Sequence, residues 1–291
     1  MNFRVNAMLW VLLSGVASQL FAQEKPERIT YAIKGTDTLW MDHYAPVGQS
    51  NGSTVLFVHG GAFVSGHPDN QRPFAEGMRR KGYNIFVISY RLYLKGKDFG
   101  CTTATPEKLK AIRIAVEDAA DATKYVTNHA ASLQVDTSKF FIAGSSAGAE
   151  TILQLLYNPF ASSDQDRYQY FNQFHFKGAM VFAGALIDMN PLKQDNWIPM
   201  LLMHGTKDQL VPFGTAAHRF CRAVDAGWLM MFGAHTIYEQ GKAWHKPVVL
   251  YTYEGKGHDV SNYMFREFDK MDQFMKQVIS GKKIKAQEIK L

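Results

Sequence analysis

The chain has 291 residues, of which 46% are hydrophobic and 20% charged, and this composition excludes a disordered or low-complexity protein. The formal charge is +6, from 32 basic and 26 acidic residues, and the sequence pI is about 9.1. Outside the C-terminal tail the basic residues are scattered along the sequence rather than gathered in one dense run. The net charge therefore does not indicate a nucleic-acid partner.

The first element in chain order is an apolar stretch over residues 7–22, which follows Arg4 and ends before the polar residues 23–26. A short apolar stretch after a basic residue, with small Ala22 at its end, predicts a signal peptide of residues 1–22. Cleavage would leave 23–291 as a single domain, exported to the periplasm or the medium and without a stable membrane anchor. An uncleaved N-terminal membrane anchor is the alternative.

Eight short runs of β-branched and aromatic residues follow, and several of them end at glycine turns. The first two flank a Gly-Thr-Asp turn and predict an antiparallel hairpin, while the near-continuous apolar character of the others predicts strands buried on both faces. The predicted strands are 28–33, 38–44, 54–58, 84–90, 139–143, 179–182, 200–203 and 248–253.

Helical spacing of apolar residues separates these strands, most clearly over 106–129, with Thr105 as its predicted N-cap. Alternating strands and helices predict an α/β fold with a mostly parallel, twisted sheet of about eight strands and helices on both faces. The charged residues 282–291 are expected to form a solvated tail. In such a sheet, functional residues follow the carboxyl ends of the strands.

The strand at 139–143 is followed by Gly-Ser-Ser-Ala-Gly at 144–148 and then by a helical pattern. A strand, a tight glycine-flanked turn and a helix are what a nucleophilic serine requires, because its hydroxyl must project from the sheet. Ser146 is therefore the predicted nucleophile, and Ser145 is expected to be a turn residue that caps the helix. An ordinary Gly- and Ser-rich helix start is the alternative.

A second glycine turn, Gly60 and Gly61, follows the strand at 54–58. Adjacent glycines leave backbone N–H groups accessible, so these two residues and Ala147 are the predicted oxyanion hole. A plain turn is the alternative. The preceding His59 is expected to organise the loop by hydrogen bonds to backbone rather than act as a base.

A serine nucleophile needs a histidine base and an acid that orients it. Asp208 follows the strand at 200–203 and His258 follows the strand at 248–253, so both are predicted members of a triad with Ser146. Asp188 is the rival acid. His204 is expected to stabilise its loop, and His235 and His245 to be surface or packing residues of the amphipathic segment 234–246. Asp259 is adjacent to His258, and adjacent residues rarely face each other productively.

Together these motifs resemble the α/β-hydrolases, and within them the hormone-sensitive-lipase-like bacterial carboxylesterases. The matching segments are 59–63, 89–92, 144–148, 204–208 with 211–212 behind it, and 257–258. The resemblance implies an α/β-hydrolase fold and ester hydrolysis through an acyl-enzyme on Ser146, without a cofactor or metal. Ala62, where many relatives have a third glycine, and Ser145, where many have an acid, depart from the pattern.

Two segments are expected to shape the substrate pocket: the aromatic-rich 157–176 and the insertion 212–232. Cys101 and Cys221 fall in loops on the catalytic side, and we expect them to form a disulfide that fixes the pocket rim; two free thiols are the alternative. The expected substrate is a small-molecule or carbohydrate-linked ester, such as an acetyl or feruloyl ester of a polysaccharide. A serine peptidase and a non-catalytic binding protein on the same scaffold are the other hypotheses.

Overall fold

The computed structural model describes residues 25–157 and 164–291, so the predicted signal peptide lies outside the described residues. The strands are β1 (Glu27–Lys34), β2 (Asp37–Tyr44), β3 (Thr54–Val58), β4 (Asn84–Ile88), β5 (Phe140–Ser145), β6 (Gly178–Phe182), β7 (Ala185–Leu186), β8 (Met200–Gly205), β9 (Thr215–Ala217), β10 (Met230–Gly233), β11 (Val248–Tyr253) and β12 (Gln287–Lys290). The helices are α1 (Arg72–Arg79), α2 (Thr105–Asn128), α3 (Ala147–Tyr157), α4 (Gln165–Gln173), α5 (Ala234–Ala243) and α6 (Phe268–Ile279).

The main sheet has the strand order β1-β2-β4-β3-β5-β6-β8-β11-β12, and a small sheet has the order β7-β10-β9. In the main sheet β2 runs antiparallel to β1 and β4, and every other neighbouring pair is parallel. The predicted hairpin at the edge and the mostly parallel sheet are therefore confirmed. Parallel strands end at the same edge of a sheet, so the loops after β3, β5, β8 and β11 meet there.

Helices cover both faces of the main sheet, as predicted. Successive side chains of a strand point to opposite faces, and in β3 Leu56 joins one buried apolar cluster while Phe57 joins another. The cluster around Leu56 includes buried residues of α2, α3 and α5, whereas the cluster around Phe57 includes buried residues of α1 and α6. Since each of the five side chains of β3 is buried, a continuous apolar run was required there.

The prediction that Thr105 caps α2 is wrong. The helix begins at Thr105 itself, and its N-cap is Ala104, which makes no side-chain capping bond. The Thr105 hydroxyl instead donates to the carbonyls of Ala226, at 3.2 Å, and Trp228, at 2.6 Å. The start of α2 is thus bonded to the insertion that follows Asp208, a contact between segments more than 100 residues apart that local sequence does not reveal.

The prediction of a solvated C-terminal tail is also wrong. The tail contains a ninth strand of the main sheet, for which about eight strands were expected. Residues Gln287–Lys290 form β12, which pairs in parallel with β11. Ile284 and Ile289 pack against the apolar cluster of α1 and α6, and Thr252 donates to the Glu288 carboxylate at 2.6 Å. Charged residues among these, Lys285, Glu288 and Lys290, conceal the pattern of an edge strand, where charged side chains are common.

A disulfide joins Cys101, in the loop between β4 and α2, to Cys221, in the loop between β9 and β10. The Cα atoms are 5.3 Å apart, and the bond spans 120 residues of sequence. Nearby, Gly227 N–H donates to the Cys101 carbonyl at 2.9 Å, and the buried Lys108 ammonium donates to the Gly227 carbonyl at 2.6 Å. The insertion is therefore held against the start of α2 by covalent and hydrogen bonds.

Replacing both cysteines by serine should lower the free energy of unfolding by about 3–5 kcal/mol, because the bond closes a long loop in the unfolded chain. Urea unfolding measures this change. Wild type unfolded in the presence of a phosphine reductant is the matched control and should reproduce the variant. If neither treatment moves the unfolding midpoint, the bond does not stabilise the fold.

Candidate active site

Ser146 lies in a tight turn between β5 and α3. Its backbone has φ +52°, a left-handed conformation uncommon for a residue with a side chain, and its N–H donates to the Phe182 carbonyl at 2.8 Å. The flanking glycines are required by space: a Cβ on Gly148 would lie 2.0 Å from the Val58 carbonyl oxygen, and one on Gly144 would lie 2.5 Å from the Gly148 oxygen. The turn projects the Ser146 hydroxyl to the carboxyl edge of the sheet.

The loops after β8 and β11 bring Asp208 and His258 to the same place. Ser146 Oγ lies 2.8 Å from His258 Nε2, and His258 Nδ1 lies 2.7 Å from Asp208 Oδ2. An ionised carboxylate only accepts hydrogen bonds, so Nδ1 carries the proton and Nε2 is available to accept from the serine. The structure therefore joins the three predicted triad residues in one hydrogen-bonded chain.

Asp208 is held by more contacts than its sequence motif indicates. Oδ1 accepts from the N–H groups of Leu210, at 2.8 Å, and Val211, at 3.0 Å. His204, which we interpreted as a loop-stabilising residue, is fully buried with Nε2 3.2 Å from Asp208 Oδ2 and 3.1 Å from the Val211 carbonyl. Burial raises the pKa of Asp208, but hydrogen bonds from His204 and His258 outweigh it and hold that pKa below its usual range.

The lowered pKa of Asp208 predicts a pH-dependent stability. A carboxyl whose pKa is lower in the folded state stabilises the fold above its unfolded pKa of about 3.9, and this stabilisation is lost as the pH falls toward the folded pKa. Wild type should therefore lose its advantage in melting temperature over Asp208→Asn as the pH is lowered from about 6 to about 3. Thermal unfolding followed by circular dichroism measures it; a constant difference would contradict the lowered pKa.

The loop after β3 places Gly60 and Gly61 opposite the nucleophile. Gly61 has φ +121°, and a Cβ there would lie 2.0 Å from the Ser65 carbonyl oxygen, so the loop admits only glycine at this position. Its carbonyl accepts from the N–H groups of Val64 and Ser65, both at 3.0 Å, which closes a tight turn. Ala147 begins α3, where backbone N–H groups have no partner within the helix.

His59 organises this loop, as expected. Its Nδ1 lies 2.6 Å from the Gly60 carbonyl, its ring stacks on Tyr90 at 4.5 Å, and its side chain is buried. Burial lowers the pKa of His59 to about 4, so the ring is neutral at neutral pH. Tyr90 in turn donates its hydroxyl to the His59 carbonyl at 3.1 Å.

Replacing Gly61 by alanine should lower kcat by about 10²–10³-fold, the usual effect of losing one oxyanion donor, because the added Cβ displaces the turn. Steady-state hydrolysis of p-nitrophenyl acetate measures it. Gly214→Ala is the matched control: it lies on a loop near the same edge, a Cβ there meets nothing within 4 Å, and kcat should stay within about twofold. Equal effects of the two substitutions would contradict this role.

Ser146, His258 and the three predicted oxyanion residues line one cavity of about 630 Å³. Sequence reasoning missed three further lining residues, Glu150, His218 and Arg219. Glu150 lies one helical turn after Ser146, so helical spacing could have indicated it. His218 and Arg219 come from the insertion, which was expected to shape the pocket, but no motif distinguishes them there.

The described residues of the aromatic segment 157–176 do not line this cavity, contrary to expectation. Phe174 and Phe176 pack on Phe140, with ring centroids 6.0 and 5.4 Å away. Phe140 begins β5 whereas Ser146 follows its end, so the aromatic cluster lies at the opposite edge of the sheet. Phe160, another aromatic residue of this segment, lies outside the described residues.

The rival residues are occupied elsewhere. Asp188 accepts from the backbone and side-chain amides of Asn190, both at 2.9 Å. Asp259, although adjacent to His258 in sequence, accepts from Gly257 N–H and the Tyr263 hydroxyl, both at 3.1 Å.

Within the described ranges 25–157 and 164–291, no group of three or more His, Cys, Asp or Glu residues is arranged to hold a metal ion. In the same ranges, no helix is long and apolar enough to span a membrane.

The model of the BD-FAE family, a family of α/β-hydrolase type, matches residues 41–196, more than half of the chain. The chain belongs to the BD-FAE family. The match includes the oxyanion loop and Ser146, whereas Asp208 and His258 lie beyond it. No curated protein matches the chain. Membership of BD-FAE confirms the resemblance to α/β-hydrolases and agrees with the prediction of a carboxylic ester hydrolase.

Solved structures of similar fold include esterase 2 of the Planctomycetes species Thermogutta terrifontis. Its butyrate-bound form has a TM-score of 0.64 and 20% identity, covering 87% of this chain and 94% of its own. The apo form has a TM-score of 0.64 and 22% identity, with coverages of 87% and 95%. The form phosphonylated by cyclosarin has a TM-score of 0.62 and 21% identity, with coverages of 90% and 96%. These similarities confirm the α/β-hydrolase fold of this BD-FAE member.

Proposed function

We propose that this protein is an exported serine carboxylesterase that cleaves short-chain esters, among them acetyl or feruloyl esters of polysaccharides. The observation that carries the proposal is the unbroken chain of hydrogen bonds from Ser146 Oγ through His258 to Asp208, at 2.8 and 2.7 Å. Ser146 and His258 line the same cavity as Gly60 and Gly61. Serine, histidine and aspartate in this geometry perform acyl transfer.

In the first half-reaction His258 Nε2 takes the hydroxyl proton of Ser146 while Oγ attacks the ester carbonyl. Asp208 keeps the proton on Nδ1 and stabilises the imidazolium that forms. The N–H groups of Gly60, Gly61 and Ala147 stabilise the negative charge on the former carbonyl oxygen. The tetrahedral intermediate then collapses, and His258 gives its proton to the departing alcohol.

In the second half-reaction a water molecule loses a proton to His258 and attacks the acyl-enzyme carbonyl. The same N–H groups stabilise the second oxyanion. Collapse releases the carboxylic acid, and the proton on His258 returns to Ser146 Oγ. No step requires a cofactor, since the triad supplies both the base and the acid.

Two observations support a short acyl group. The cavity of about 630 Å³ is in the range of small-molecule sites. The structural neighbour from Thermogutta terrifontis has been solved with butyrate and with propionate bound. The polysaccharide substrates and the export rest on the signal-peptide pattern of residues 1–22, because exported enzymes meet polymers outside the cell.

The test is hydrolysis of p-nitrophenyl acetate, butyrate and octanoate, together with inactivation by paraoxon, which phosphorylates the structural neighbour. We expect turnover of the acetate and butyrate, a lower rate on the octanoate, and one diethylphosphoryl group per chain on the peptide that contains Ser146. Acetylated xylan and feruloylated arabinose then test the polysaccharide class. Absence of both turnover and labelling would overturn the proposal and favour the binding-protein hypothesis, and turnover of peptide substrates alone would favour the peptidase.

A further inference from the structure

Arg219 is a positive charge in the active-site cavity for which the described residues supply no ion pair. It lines the same cavity as Ser146 and His258. Among the described residues its guanidinium makes no hydrogen bond and no ion pair, and its Nε is buried from solvent. Partly buried charges are normally paired, because desolvation is costly without compensation. An unpaired guanidinium in the cavity that contains the nucleophile therefore indicates that the partner is a ligand.

The backbone of Arg219 has a strained, left-handed conformation. Arg219 has φ +56° and Phe220 has φ +51°, both left-handed, and two consecutive non-glycine residues in this region are strained. The N–H of Arg219 donates to the Leu210 carbonyl at 2.9 Å, and the disulfide at Cys221 fixes the chain two residues later. The hydrogen bond to Leu210 and the disulfide at Cys221 thus maintain a strained turn, and in this turn Arg219 lines the cavity.

The cavity wall also contains a carboxylate, Glu150, which contacts His218. Glu150 Oε1 lies 3.1 Å from His218 Nε2, and both side chains are almost completely buried. The His218 ring packs edge-on against Phe99, which also lines the cavity. Glu150 therefore contacts His218 rather than Arg219: among the described residues, no ion pair joins its carboxylate to the guanidinium of Arg219.

A second cation reinforces the positive side of this wall. The buried ammonium of Lys108 lies 5.4 Å from the centre of the Phe99 ring and donates to the Gly227 carbonyl. Burial, and then the positive charge of Arg219, lower the pKa of Lys108, and they outweigh the carboxylates of Asp98 and Glu150, which raise it. The two cations are thus close enough to repel each other, and an anion bound at Arg219 would relieve this repulsion.

We propose that Arg219 binds a carboxylate carried by the ester substrate, in its acyl part or in its alcohol part. The proposal rests on the esterase function above and specifies its substrate class. A planar guanidinium can bind a carboxylate through two parallel hydrogen bonds, which also fixes the orientation of the ester relative to Ser146. A neutral ester of the same shape leaves the guanidinium unpaired and is the poorer substrate.

Two pairs of isosteric esters test the proposal by pH-stat titration of kcat/KM. The acyl pair is monoethyl succinate and ethyl 4-methylpentanoate; the alcohol pair is 4-acetoxybenzoate and 4-acetoxybenzamide. Wild type should prefer the charged member of one pair by at least about tenfold, and the preference should fall as salt concentration rises. The pair that shows the preference identifies which part of the substrate carries the carboxylate.

Arg219→Gln should reduce this charged-to-neutral ratio of kcat/KM by at least about tenfold, and Arg219→Lys, which keeps the charge, should reduce it less. Arg222→Gln is the matched control, since Arg222 lies in the same loop, is 80% exposed and pairs with Asp225, and it should leave the ratio unchanged. Absence of a preference in wild type, or equal loss on charged and neutral esters in Arg219→Gln, would overturn the proposal. No turnover of the four esters by an enzyme that hydrolyses p-nitrophenyl acetate would overturn this proposal alone, whereas no turnover of p-nitrophenyl acetate either, together with no labelling by paraoxon, would overturn the esterase function and this proposal with it.

Discussion

Replacing Ser146 by alanine is expected to lower kcat for p-nitrophenyl butyrate by at least about 10⁴-fold. The substitution removes the hydroxyl oxygen that lies 2.8 Å from His258 Nε2, on the left-handed turn at the end of β5. The oxyanion hole and the binding cavity remain, so a small rate above that of water should persist. Steady-state kinetics at enzyme concentrations high enough to detect this residual rate provide the measurement.

Ser145→Ala is the matched control, because Ser145 is the neighbouring residue, carries the same hydroxyl and ends β5. We expect kcat to fall less than about tenfold, since a neighbouring serine outside the triad has no part in the acyl-enzyme. If Ser146→Ala retains more than about one per cent of wild-type kcat, or if the two variants lose equal activity, Ser146 is not the nucleophile.

Replacing Asp208 by asparagine is expected to lower kcat by about 10³–10⁴-fold. The amide can donate as well as accept, so it no longer enforces the His258 tautomer that carries its proton on Nδ1 and leaves Nε2 free for Ser146. His204 also loses the negative charge that it contacts at 3.2 Å. The loss should appear in kcat more than in KM, because the carboxylate stabilises an imidazolium that forms during the reaction.

The matched control for this change is Asp188→Asn, which alters the rival acid. Asp188 accepts only from Asn190 among the described residues, and its replacement should change kcat by less than about twofold. A large loss in Asp188→Asn together with a small one in Asp208→Asn would reverse the assignment of the acid.

The central strands could be predicted from the sequence because their environment imposes an uninterrupted apolar pattern. The predicted bounds of β3 and β11 equal the observed ones, and both strands are buried between helices. The C-terminal strand could not be predicted in this way. It is an edge strand in which charged Glu288 and Lys290 flank Ile289, and its identity depends on pairing with β11, which is distant in sequence.

Ser146, Asp208 and His258 could be predicted because each follows a predicted strand in a short glycine-containing motif. Arg219 could not, for a physical reason. Its position depends on two left-handed residues, a disulfide and a hydrogen bond to Leu210, none of which follows from local periodicity. Similarly, His204 contacts Asp208 only because the loop after β8 folds back on its own strand.

The place of β12 at the edge of the main sheet has a consequence for the synthesis of the protein. Residues 287–290 are synthesised after the other eight strands of the main sheet, yet they pair with β11, the strand that leads into the loop of His258. The sheet can therefore be completed only after all of its other strands have been synthesised, although those strands can begin to fold before. A chain that lacks residues 287–290 would expose the edge of β11, with unpaired N–H and C=O groups available to a second molecule.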